Sequence, residues 1–270
     1  MFTLKGKNAL EKEWNSVQEK ERKIIEKKNS DKEPYINKVL EDKVPEKLKK
    51  TLDSAFQKAF EVVFDKGMPI IEKTYNKEKR IIRYEENEKK HEIKDNSRTL
   101  KAFSKNSSSS NRKNKLLTGI EGVGLGALGI GLPDIPIFTG VILKSMYEIA
   151  MSYGYEYESL KEKFFILKLI EVAMINGEEF EKYDREINNF IEDMYEYDIE
   201  VYEEHIKRQI LITSNEISNE MLYMKFIQGL PVIGIAGGFK NTEYLHKITE
   251  YADLKYKRRF LYDKIKGENK

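Results

Sequence analysis

The chain has 270 residues, with 48 Lys and Arg against 46 Asp and Glu, no cysteine and only six prolines. A charged fraction of 35% exceeds the roughly 25% of an average globular chain, which suits long helices with solvated faces and disfavours an ordinary mixed α/β enzyme. The mean hydropathy of −0.64 excludes a polytopic membrane protein and the lack of Cys excludes a disulfide scaffold. The opening Met1-Phe2-Thr3-Leu4-Lys5 has no apolar signal core, so a cytoplasmic protein is expected.

Near-neutrality hides a division. Residues 1–115 hold 30 basic and 20 acidic side chains, leaving 18 and 26 for residues 116–270. A basic half can face lipid headgroups or nucleic acid, or its charges can simply decorate exposed helix faces.

Residues 4–29 carry sparse apolar positions (Leu10, Trp14, Val17, Ile24, Ile25) and read as a surface helix, and residues 1–44 as a charged N-terminal extension. After Pro45, which a first helical turn tolerates, Leu48, Leu52, Ala55, Phe56, Ala59, Phe60 and Val63 recur at three and four. This predicts an amphipathic helix ending near Gly67. A third helix is predicted from Ile70 to about Ile93, with Ile71, Tyr75, Ile81, Ile82 and Tyr84 as its apolar positions. Residues 45–103 thus form the first part of a helical domain. The run Ser104-Lys-Asn-Ser-Ser-Ser-Ser-Asn-Arg-Lys-Asn114 offers nothing apolar to bury, and residues 104–115 read as a flexible linker.

Residues 116–143 contain only Glu121 and Asp134 as charged positions. Gly122 and Gly126 stand four apart, and Ala127 and Gly131 repeat that spacing, leaving a helix face nearly free of side chains that permits close helix approach in a membrane or a packed core. A span needs about 20 apolar residues; Leu116–Leu132 is interrupted by Glu121 and followed by Pro133-Asp134-Ile135-Pro136, so a single crossing is not expected. A buried helical hairpin and a leaflet-inserting one both fit, with Asp134 capping the helix that Pro136 opens. Arg98, Lys101, Lys105, Arg112, Lys113 and Lys115 lie just upstream, as a headgroup-binding collar would. Gly124-x-Gly126-x-x-Gly129 matches the dinucleotide fingerprint but lacks the strand before it and the helix after it.

From Pro136 an apolar helix is predicted to run to Tyr153-Gly154, and a capping box of Ser159 and Glu162 to open another that ends at Asn176-Gly177. Between Glu178 and Glu204 twelve acidic residues face only Lys182 and Arg185, as a solvated face or a dock for the basic N-terminal helices. Gly229-Leu230-Pro231 echoes Gly131-Leu132-Pro133, and Gly234 and Gly238 again stand four apart. A last helix, capped by Asn241 or Thr242, is predicted to finish with Lys255, Lys257, Arg258 and Arg259, suited to its C-terminal dipole or to a phosphate. Residues 116–262 are the helical core and 263–270 a polar tail. The fold class is all-α, a multi-helix bundle with central Gly-rich apolar hairpins and charged N-terminal helices.

The ordered pieces Gly131-Leu-Pro-Asp-Ile-Pro136, Glu148-Ile-Ala150, Tyr153-Gly154, Leu230-Pro-Val-Ile-Gly234, Gly237-Gly238, Asn241, Ala252 and Arg259-Phe-Leu261 resemble the EcsC protein family over about residues 45–262. The resemblance implies a helical, intracellular, membrane-proximal accessory of an ABC transporter with no assigned reaction. Asp134, Tyr153, Gly154, Asn241 and Arg259 are the positions it marks.

Enzymatic chemistry has few footholds. With no Cys and His only at 91, 205 and 246, Cys–His catalysis is impossible and Gly-x-Ser-x-Gly does not occur. Glu88-x-x-His91 and Glu243-x-x-His246 have di-iron spacing, but Glu is so abundant that chance explains them, and no metal or cofactor is expected. The expected partners are an anionic membrane surface and ABC transporter subunits, rather than nucleic acid. A hydrolase of lipid or peptide would need Asp134, Asn241 and Arg259 to converge.

Overall fold

A computed structural model describes residues 4–30, 45–73, 75–94, 96–111, 134–227 and 241–268, and these form helices and turns with no strand among them. The close-packing glycines Gly122, Gly126, Gly131, Gly234 and Gly238, and the basic residues Arg112, Lys113 and Lys115, lie outside the described residues.

Helix α1 is Leu4–Ser30 and α2 is Glu46–Val62. The Phe-rich face of α2 is buried as its spacing predicts, through Leu52, Ala55, Phe56, Ala59 and Phe60. A π turn, Val63–Gly67, leads into the short α3, Met68–Glu72. The stretch expected as one helix to Ile93 is broken here. Asn76 accepts the Lys79 N–H at 2.7 Å and so starts a separate α4, Lys77–Ile93. Ile81 and Ile82, expected to pack, are 43% and 53% exposed.

Helix α5, Ser97–Asn111, carries helical backbone through most of the expected linker. Low apolar content is offset at its centre, where Phe103 is fully buried and Ser104 Oγ meets the Tyr153 hydroxyl at 3.0 Å.

Helix α6 is Asp134–Ser152 and α7 is Leu160–Met174. Both are apolar around most of their circumference and correspondingly central. Ser159 Oγ accepts the Glu162 N–H at 3.1 Å, completing half of the predicted box; the Glu162 carboxylate is used elsewhere. Helix α8 is Glu179–Glu196, α9 is Glu203–Ile227 and α10 is Asn241–Glu268.

Helix α7 packs against both α9 and α10; α9 also covers α2, and α10 lies on α6. Helices α4 and α5 pack on α6. Helix α1 runs against α10, α5 and α8, burying Leu10, Val17, Glu13 and Glu21. It therefore packs as part of the bundle. No helix among the described residues is long and apolar enough to cross a membrane.

Candidate functional site

Three of the five marked positions meet around the turn that joins α6 to α7. Gly154 ends α6 with φ of +83°, and the Tyr155 N–H reaches back to the Ala150 carbonyl at 3.0 Å, a closure that favours glycine. A Cβ at Gly154 would run into the Tyr84 ring of α4. Glycine is required here twice, by backbone conformation and by space.

Tyr153 points inward. Its hydroxyl donates to Asp253 of α10 at 2.8 Å, and burial holds its pKa well above the ordinary tyrosine value. Arg259 comes from α10 on the far side of the turn. Its guanidinium stacks 3.8 Å from the Tyr155 ring centre and donates to Glu162 at 2.7 Å, and Glu162 also accepts the Tyr256 hydroxyl at 2.5 Å. Burial alone would lower the Arg259 pKa; Glu162 together with Tyr155 and Tyr256 outweighs it and the net shift is upward. The Tyr155 hydroxyl bonds to Asp263.

The open side of the turn faces α4 across a cavity of about 260 Å³. Tyr84, Tyr155 and Tyr157 give it aromatic walls, and Ile81 and Met151 give it apolar surface. Glu85, Glu156 and Glu158 stand around it as exposed carboxylates, with Lys77 as the lining cation. Lys77 donates to Glu158 at 2.5 Å and to Glu72 at 3.3 Å, and its ammonium lies 4.9 Å from the Tyr157 ring centre. Burial works to lower its pKa, and the two carboxylates win and raise it. Tyr75 donates to the Tyr157 hydroxyl at 2.7 Å, which donates to Glu72 at 2.5 Å. Burial pushes Tyr84, Tyr155 and Tyr157 upward, so these phenols stay protonated near neutrality. The lining offers aromatic rings, apolar carbons and carboxylates.

The run Lys255, Lys257, Arg258 and Arg259 does not end α10. It lies mid-helix and inside the bundle, and it is already partnered. Lys255, fully buried, contacts Glu21 at 2.6 Å and Asp184 at 2.8 Å. Lys257 meets Glu13 at 2.8 Å, and Arg258 meets Glu21 at 3.0 Å and Glu192 at 3.3 Å while lying 4.8 Å over the Trp14 ring. The phosphate-binding expectation therefore fails, because each cation is neutralised internally. Asp184 and Glu192 of α8 face the cations of α10, and α8 also packs against α1. Sequence reasoning missed this network, although the stripe Tyr251, Lys255, Arg258 and Tyr262 on one face of α10 is a readable signal.

The side chains of Asp134 and Asn241 lie outside the described part, but their backbones open α6 and α10. Asn241 and Arg259 are 18 residues apart on one helix, about 27 Å at 1.5 Å per residue. They cannot share a catalytic pocket, which removes the hydrolase arrangement. His91 bonds to Thr99 at 3.1 Å, Glu88 to Lys264 at 3.0 Å, and His246 is exposed beside Glu250. No group of three His, Cys, Asp or Glu suited to a metal occurs among the described residues.

The fold and this turn define an all-helical protein organised around a Tyr-Gly turn and a buried ionic helix. A match to the EcsC protein family spans residues 8–261, and the chain belongs to that family. The match begins within α1, in keeping with its burial and earlier than the boundary expected at residue 45. The chain is similar to "Uncharacterized protein YdbA" of Bacillus subtilis (strain 168), 26% identical over 58% of this chain and 56% of that protein. It is also similar to "Protein EcsC" of the same organism, 25% identical over 49% of this chain and 52% of that protein. The chain thus spans about half the length of the curated relatives it matches. No solved structure matches.

Proposed function

We propose that this EcsC-family protein is a non-enzymatic module that docks peripherally on the inner face of the cell membrane, as an accessory of an ABC transporter or another membrane process. The observation that carries this reading is the exposed face of α5. Arg98, Lys101 and Lys105 follow one another at three and four residues, all exposed, and α5 contains no acidic residue. Lys94 stands exposed one turn before. The opposite side, Leu100 and Phe103, is anchored in the core, so the basic row is held on a rigid support. In sequence, the apolar residues 116–132 follow.

Each Lys or Arg near an anionic leaflet contributes about 1 kcal/mol, so three give roughly 3 kcal/mol. That is weak alone, and reversible attachment ordinarily combines a basic patch with an apolar contribution. The test is co-sedimentation with phosphatidylglycerol-containing vesicles. Replacing the three cations (Arg98→Gln, Lys101→Gln, Lys105→Gln) should weaken partitioning by about 100-fold at low salt, with helicity unchanged because all three are exposed. Equal partitioning of the variant and the parent would refute the role of α5.

A further inference from the structure

Reversible attachment to a bilayer combines charge with an apolar contribution, and the corner between α4 and α5 offers one beside the basic row. Ile93, the last residue of α4, is 86% exposed, more than any other large apolar side chain among the described residues. It follows the buried His91 by two positions, which turns it about 200° round the helix from the packed side. Its neighbours Lys89, Lys90 and Glu92 are all exposed, so a β-branched residue there serves neither helix propensity nor the core.

A lone exposed isoleucine is ordinary on a protein surface; this one is set apart by its support and its company. The Lys94 N–H donates to the Lys90 carbonyl at 3.0 Å, and the Asn96 side chain accepts the Arg98 N–H at 2.9 Å. The Thr99 hydroxyl donates to the Lys94 carbonyl at 3.0 Å and lies 3.1 Å from His91 Nδ1, tying the start of α5 back to the end of α4. Ile93 is thus held outward by a hydrogen-bonded corner. Residues 89–105 carry six Lys and Arg against Glu92 and Asp95, so the apolar side chain stands within a surface complementary to anionic headgroups.

We propose that Ile93 is the insertion point of this docking surface, entering the acyl boundary of an anionic leaflet while Lys94, Arg98 and the other α5 cations hold the headgroups. The inference rests on the membrane-docking reading and names the residue that gives it an apolar contribution.

The chain has no cysteine, so Ile93→Cys gives the full chain a single attachment point for a polarity-sensitive nitrobenzoxadiazole label. Leu211→Cys, at an exposed position of α9, is the control. Both are mixed with vesicles of equal phosphatidylglycerol and phosphatidylcholine, and co-sedimentation is measured on the same samples. The label at 93 should brighten, shift to the blue and be quenched by nitroxide-bearing acyl chains, and the label at 211 should do none of these. In the unlabelled chain, Ile93→Ser should weaken partitioning about tenfold, with the urea midpoint unchanged because the side chain is exposed. That factor should be the same at low and moderate salt, whereas the effect of replacing the three α5 cations fades as salt rises. Ile93→Trp should bind at least as well as the parent, since tryptophan favours the membrane interface. A bound chain whose label at 93 stays in water, or equal partitioning of Ile93→Ser and the parent, would overturn insertion and leave docking through α5 standing. No partitioning of the parent at low salt would overturn both.

Discussion

The ammonium of Lys255 lies 2.6 Å from the Glu21 carboxylate, joining α10 to α1 across 234 positions of sequence with no lysine surface exposed to solvent. Asp184 and Asn188 complete its surroundings, each at 2.8 Å, and the ammonium sits over the Tyr251 ring. A buried ion is costly to desolvate and costlier to leave without partners. Lys255→Ala should therefore destabilise the chain by about 3 kcal/mol or more, read as a lowered urea midpoint. Because Glu21 also holds Arg258, a double-mutant cycle between Lys255→Ala and Glu21→Ala should show strong coupling; additive effects would mean that the pair contributes little.

Gly154→Ala combines two penalties, a left-handed backbone and collision with Tyr84. The expected cost is about 1–3 kcal/mol. In the Tyr84→Ala background the steric part should vanish and only the conformational part remain. Thermal unfolding of the four proteins of this cycle measures both.

Arg259→Lys keeps the charge but loses the planar stack on Tyr155 and the guanidinium geometry toward Glu162. A loss of about 1–2 kcal/mol is expected. An unchanged denaturation midpoint would mean that charge alone is what Arg259 provides.

Burial raises the Glu216 carboxyl of α9 to about 7, assisted by the nearby carboxylate of Glu171. Lys49 opposes the shift, and Glu179 and Glu220 add to it. The folded chain then retains a proton that the unfolded chain, with a glutamate pKa of about 4.3, has released. This contribution to stability is complete below the unfolded value and is lost as pH rises through 7. Burial likewise raises Asp53, against its bond to Ser218. Glu216→Gln should therefore gain on the parent by roughly 1–3 kcal/mol between pH 5 and pH 8, measured by urea unfolding at both values. A pH-independent difference would place the proton elsewhere.

Local chemistry made much of this architecture legible. The Phe-rich face of α2, the apolar girth of α6 and α7, the Ser159 cap and the stop at Gly154 all follow from spacing and residue type within a single turn or helix. What escaped depends on partners distant in sequence. Lys255, Lys257 and Arg258 read as a cationic helix end until Glu13 and Glu21 of α1 are known to lie against them. Residues 104–110 read as linker because nothing in their composition announces Tyr153 or the buried Phe103. Ile81 and Ile82 read as core from hydrophobicity alone, yet α4 turns them outward. At the candidate site, Tyr153, Gly154 and Arg259 could be singled out from sequence. The cavity could not, because Tyr84 and Lys77 reach it from a different helix.

Flotation of the purified chain with vesicles tests the account most directly, comparing neutral phosphatidylcholine with phosphatidylglycerol mixtures at low and high salt. The account predicts binding to the anionic vesicles that weakens as salt rises, since the Arg98, Lys101 and Lys105 row acts through charge. Failure to float with anionic vesicles at low salt would contradict it.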